Sequence, residues 1–184
     1  MDSRTRFEGF TLLELLVTVA IVVVLLGLGM PSLQGFITQR AVVSQADAIA
    51  SSLRLARTEA LKRALPVTMC LSTDTDQISP SCVANGNADW EQGWLTFVDN
   101  NANGDFDAGE LLLRVQQPLS GRSNLKGSDA RLAIHFTGDG LAMGSNVTFT
   151  AHADSGDCRQ VVLAQTGRQT SKKLARTAGD QACS

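Results

Sequence analysis

The chain has no tyrosine and only two histidines in 184 residues. Those histidines, His135 and His152, stand in separate segments, neither in a recognisable motif with a serine or cysteine. A hydrolase built on an activated nucleophile needs a positioned base, so that class has little to stand on. No Cys-x-x-Cys occurs among the four cysteines, and the histidines are remote from them, which excludes the usual zinc spacing. Net charge is only −2, so no global basic signature marks the chain for nucleic acid. An enzyme is not expected, and a membrane-tethered enzyme is the most distant alternative.

What the sequence does have is one long apolar run. From Phe10 to Met30 the single ionisable side chain is Glu14. About 21 helical residues at ~1.5 Å rise span roughly 31 Å, close to the hydrocarbon thickness of a bilayer. A cleaved secretory signal would be shorter and end in a small-x-small site, of which Gly27-Leu28-Gly29-Met30 is a poor version. Arg4 and Arg6 precede the run and no long basic stretch follows it, which places the amino end in the cytoplasm. Glu14 has two readings: an interfacial acid favoured by the helix dipole, or a buried charge that needs a partner.

Gly9 followed by Phe10-Thr11-Leu12-Leu13-Glu14 resembles the class III signal of type IV pilins and type II secretion pseudopilins. The resemblance implies cleavage after Gly9 by a prepilin peptidase/methyltransferase and N-methylation of Phe10. It also implies pairing of Glu14 with the terminal amine of a neighbouring subunit. Residues 1–9 are then a leader, 10–30 a transmembrane helix in the inner membrane, 31–65 its amphipathic continuation and 66–184 a periplasmic head.

In the continuation, Val43, Ala46, Ile49, Ala50, Leu53, Ala56, Ala60 and Ala64 recur at helical spacing, with Gln45, Asp47, Arg54, Lys62 and Arg63 largely elsewhere. Pro31 is expected to kink or locally melt the helix. After Pro66 come short β-rich segments: Val67 to Leu71, Trp94 to Val98, Leu111 to Val115, Arg131 to Phe136, Val147 to Thr150 and Gln160 to Leu163. Polar turns separate them, so the class expected is α+β, a long N-terminal helix packed on an antiparallel β-sheet or sandwich head. An even set of four cysteines beyond a membrane span suits an oxidising periplasm. Three disulfide pairings are open. Cys70 with Cys82 and Cys158 with Cys183 is favoured because each bond closes a short polar segment.

Three further blocks narrow the resemblance: Leu53 to Ala60, Gly93-Trp94-Leu95-Thr96-Phe97-Val98-Asp99-Asn100-Asn101, and Cys158 to Leu163 with Thr166-Gly167-Arg168. They are similar to the GspH/FimT family of minor pilins and pseudopilins. That implies a minor type IV pilin that primes or caps a pilus used in twitching, adhesion or DNA uptake, with other pilin subunits as partners. Alternatives are a type II secretion minor pseudopilin and a pilus-tip DNA receptor for natural transformation.

Two segments add possible chemistry to the head. Asp99, Asn101, Asn103, Asp105, Asp107 and Glu110, with Gly104 at the sixth position, reproduce the spacing of a calcium loop. The flanks read as strands where an EF-hand needs helices, so a polar hairpin turn is the competing reading and no cofactor is otherwise expected. Between Cys158 and Cys183, Arg159, Arg168, Lys172, Lys173 and Arg176 face one acid, Asp180, a locally basic loop able to contact phosphates. DNA-uptake members carry Gly-Arg-x-Arg here, whereas this chain has Gly167-Arg168-Gln169-Thr170 and no interleaved aromatic.

Overall fold

The computed structural model describes residues 10–119, 121, 123–154, 156–175 and 183, apart from the side chains of residues 28–33. The chain divides into two compact units, Met1–Ile37 and Thr38–Ser184.

In the first unit, helix α1 (Leu12–Arg63) begins on a cap: Thr11 Oγ1 accepts the Glu14 N–H at 3.2 Å. Thr11 and Glu14 thus stand in the positions of a capping box, and a first-turn acid also suits the positive end of the helix dipole. The apolar side chains that follow are exposed on every side, from Phe10 at 80% to Leu26 at 55%. Among the described residues no helix is long and apolar enough to cross a membrane. The described side chains of this stretch stop at Gly27 and resume at Gln34. The backbone of α1 continues as helix through Pro31, so the expected local melting does not occur.

In the second unit, the remainder of α1 buries a stripe of Val42, Ala46, Ile49, Ala50, Leu53, Ala56 and Ala60. Small residues make up most of the stripe, while Ile49 and Leu53 each contribute roughly 1.5–3 kcal/mol on leaving water. The stripe departs from expectation at three places. Val42 is buried where Val43 was expected. Gln45 lies inside, its side-chain amide donating to the Ser123 carbonyl at 3.0 Å. Ala64 is exposed in the left-handed conformation (φ 54°) that ends the helix before Pro66.

Two four-stranded antiparallel sheets follow. The first has the order β3-β2-β1-β5, with β1 at Val67–Leu71, β2 at Trp94–Val98, β3 at Leu111–Gln116 and β5 at Ala133–Phe136. The second has the order β4-β6-β7-β8, with β4 at Asn124–Gly127, β6 at Val147–His152, β7 at Cys158–Leu163 and β8 at Gln169–Leu174. The helical stripe and the inner residues of both sheets, such as Met69, Ile134, Phe149 and Val161, share one core. Trp90 joins them, its ring edge-on to Phe149 at 5.2 Å and its Nε1–H bonded to the Arg131 carbonyl at 3.0 Å. The first sheet has apolar residues on its other face as well. There Cys70, Leu95 and Phe97 form a second small cluster with Phe106. This explains why β1 and β2 are buried along their whole length and show no hydrophobic alternation.

Candidate functional site

The turn from Asp99 to Glu110 joins β2 to β3 and is closed by its own hydrogen bonds. Asp99 follows β2 directly and is fully buried. Its Oδ1 accepts the Asn103 N–H at 3.1 Å, and its Oδ2 accepts the Gly104 N–H at 3.0 Å and the Thr68 hydroxyl at 2.7 Å. The Asn101 side-chain oxygen accepts the Asn103 N–H, and that of Asn103 accepts the Asp105 N–H. Both asparagines donate their amide groups to Asp107 Oδ2, at 2.9 and 2.8 Å. These donors, Asn101 first, hold the Asp107 carboxyl below the ordinary carboxylate range. Glu110 closes the turn by accepting from the N–H groups of Asn100 and Asp107.

The segment with calcium-loop spacing folds as successive Asx-type turns at Asn101 and Asn103. Among the described residues no three His, Cys, Asp or Glu side chains are grouped to hold a metal. Phe106, midway along the turn, packs on Phe97 with ring centroids 5.2 Å apart.

His135 belongs to the same network. It sits on β5 opposite Thr68, and its Nδ1 lies 3.0 Å from Thr68 Oγ1. Because that hydroxyl gives its hydrogen to Asp99, the ring nitrogen is the donor, which fixes the Nδ1–H tautomer. Desolvation against the turn lowers the His135 pKa, the Asp99 charge opposes the shift, and Arg131 adds to it.

The basic segment is not one loop. It runs through β7, the β7–β8 turn and β8, and β8 is not legible in sequence because Gln169-Thr170-Ser171-Lys172-Lys173-Leu174 has no apolar alternation. β8 is an edge strand held by pairing to β7. Lys173 lies opposite Arg159 and forms an ion pair with Asp157 at 2.5 Å. Lys172 lies opposite Gln160, and as the neighbour of Lys173 in a strand it points to the other face. Arg168 is exposed in the turn between the two strands. Of the four described cations, Arg159 and Lys173 are cross-strand neighbours and Lys172 lies on the opposite face from them, while Arg176, like the cleavage position Gly9, lies outside the described residues.

The cysteines pair as Cys70–Cys82 and Cys158–Cys183, with Cα separations of 5.6 and 5.8 Å. Inside the first loop Asp74 accepts from the Ser81 N–H, the Ser81 hydroxyl and the Ser72 hydroxyl. These bonds, the Ser81 amide foremost, lower its pKa. Sequence reasoning missed both Asp74 and Arg57. Arg57 lies in a block noted only for its family resemblance, and nothing local marks its distant partners.

The family described as Type II transport protein GspH matches residues 45–167, and the prokaryotic N-terminal methylation motif matches residues 4–30. The pilin-like protein PilA1 of Thermus thermophilus is 35% identical over 103 residues, 56% of this chain and 55% of that protein. The chain thus spans about half the length of the curated relative it matches. The type IV minor pilin FimU of Pseudomonas aeruginosa has a similar fold: TM-score 0.57, 21% identity, 74% of this chain and 92% of that one. A second crystal form of FimU gives TM-score 0.53, with 70% and 90% covered. The chain belongs to the GspH family, that of minor type IV pilins and GspH-like pseudopilins, and carries the N-terminal methylation motif ahead of its β head.

Proposed function

We propose that this protein is a minor pilin that primes or caps a type IV pilus after cleavage at Gly9 and methylation of Phe10. The observation that carries this reading is the start of α1, where Glu14 is the sole ionisable group among apolar side chains exposed on every side. A helix that is apolar all round needs lipid or other helices around it. Residues 10–30 would lie in the inner membrane, the amino end in the cytoplasm and the head in the periplasm, until subunits assemble. Glu14 is an uncompensated charge in that setting, and a neighbour's terminal amine relieves it on docking. Replacing Glu14 by Ala should leave cleavage largely intact and reduce incorporation into filaments. Normal incorporation would remove the pairing role.

The pseudopilin reading differs in the machine served rather than in the chemistry of α1. Neighbouring genes for a secretion apparatus, with loss of secretion on deletion, would favour it. A DNA-receptor role has support in exposed Arg168 and Lys172, for which no ion pair is seen among the described residues. For the full chain in detergent, that role predicts DNA retardation at low salt that weakens in Arg168→Ala/Lys172→Ala. The acidic turn is read as closing without a cation. Calcium heat in calorimetry, absent in Asp107→Ala, would overturn that.

A further inference from the structure

The second sheet carries a cleft that neither the assembly helix nor the acidic turn uses. It is a shallow, open cleft of about 510 Å³ between the 3-10 turn at Ser128 and Asp129, the strands β6 and β7, and the start of the β7–β8 turn. That size is in the range of sites that hold a small ligand or a few residues of peptide.

The walls are fixed in place. Asp129 (φ 58°) and Ala130 (φ 47°) are consecutive non-glycine residues in the left-handed region, a conformation that persists only where its surroundings impose it. Ser128 Oγ ties this turn to β6 by accepting the Thr148 N–H at 3.1 Å, and it donates to Asp129 Oδ2 at 3.3 Å. On the other side the Gln165 carbonyl is pinned by the Ala142 N–H at 2.7 Å.

The lining has one sign. Asp129 supplies a carboxylate, Asn146 and Gln165 supply amides, Ser128 and Thr148 supply hydroxyls, and Val162 and Ala164 supply apolar surface. Among the described residues, no Lys, Arg or His lines the cleft. Nearby Arg131 turns its guanidinium to the Gly144 carbonyl at 2.5 Å, and no ion pair to Asp129 is seen among the described residues.

We propose that this cleft binds the guanidinium or ammonium group of a basic side chain on a neighbouring pilin head. Asp129 accepts the charge, the side-chain carbonyls of Asn146 and Gln165 take the remaining N–H groups, and the stem packs on Val162 and Ala164. A peptide source is favoured over a free amine because the volume exceeds one side chain and leaves room for flanking backbone. The partner's identity rests on the pilin reading.

The test uses the full chain, isotope-labelled in detergent micelles, titrated with acetyl-Gly-Arg-Gly-amide and with acetyl-Gly-Gln-Gly-amide while amide shifts are followed. The arginine peptide should move the amides of Asn146, Thr148 and Gln165, and the glutamine peptide should not. Asp129→Asn keeps a residue that tolerates the left-handed backbone and should weaken binding about tenfold or more. Asn146→Ala, at an exposed position, should weaken it by a smaller factor and serves if Asp129→Asn fails to fold. Equal binding of both peptides, no binding, or unchanged affinity in both variants would overturn the proposal. Agmatine binding as tightly as the peptide would overturn the peptide source. Filament incorporation of Asp129→Asn, measured separately, reports on the pilin reading whatever the titration gives.

Discussion

Arg57 of α1 reaches across to the β7–β8 turn, donating to the Gly167 carbonyl at 3.0 Å and to the Thr166 carbonyl at 3.2 Å. A helix side chain thereby satisfies a turn distant in sequence, and Gly167, in a left-handed conformation (φ 71°), leaves room for the guanidinium. Arg57→Ala should cost about 1.5–3 kcal/mol in urea unfolding, as hydrogen bonds to a charged donor do. Gly167→Ala should cost at least as much, because an added Cβ presses on the Gly140 carbonyl and on Arg57 while φ stays unfavourable.

Asp99 is expected to anchor the acidic turn. Asp99→Ala leaves the Gly104 amide and the Thr68 hydroxyl without their acceptor and the Asn103 amide with the Asn101 side-chain oxygen alone, a loss of about 3 kcal/mol or more. Hydrogen exchange should quicken first at Asn103 and Gly104. Protection unchanged at those two amides would show that Asp99 is not what holds the turn.

The lowered pKa of His135 gives a signed pH dependence. The unfolded chain takes up its proton near the ordinary histidine value of about 6.5, and the folded chain only at lower pH. The resulting stability is complete above about pH 6.5 and is lost as pH falls toward the folded value. The carboxylates lowered by hydrogen bonds, Asp74, Asp107 and Asp139, lose their contribution at lower pH still. Urea midpoints should therefore drop between pH 7.5 and 5.0 in the parent and drop less in His135→Asn.

Reduction should weaken the head through both disulfides. Loops closed over sequence separations of 12 and 25 each contribute about 3 kcal/mol by chain entropy. Cys70→Ala/Cys82→Ala should lower the thermal midpoint and expose amides in the Asp74-centred loop. An identical midpoint with and without reductant in the parent would contradict this.

Much of the fold was legible because its signals are local. The small-residue stripe of α1, the apolar runs of β1 and β2, and the polar turns between strands each mark an element by composition and period. β4 and β8 were not legible. Asn124-Leu125-Lys126-Gly127 and the polar β8 sequence are edge strands defined by their neighbours. The polar residues inside α1 were missed for a related reason, since nothing near Gln45 in sequence announces that Ser123 will accept from it. The acidic turn was found by its spacing, but spacing alone does not give the hydrogen bonds that Asp99, Asp107 and Glu110 accept within it. The cleft at Asp129 had no sequence signal at all, because its residues come from three separate segments.

Phe106, resting on Phe97 over the outer face of the first sheet, makes the acidic turn a lid as well as a connection. A foreign epitope spliced into that turn would uncover Phe97 and unzip a second cluster of core residues. The disulfide-closed loop offers a safer graft point: Ile78 stands wholly in solvent there, while Asp74 and the Cys70–Cys82 bond clamp the loop's base.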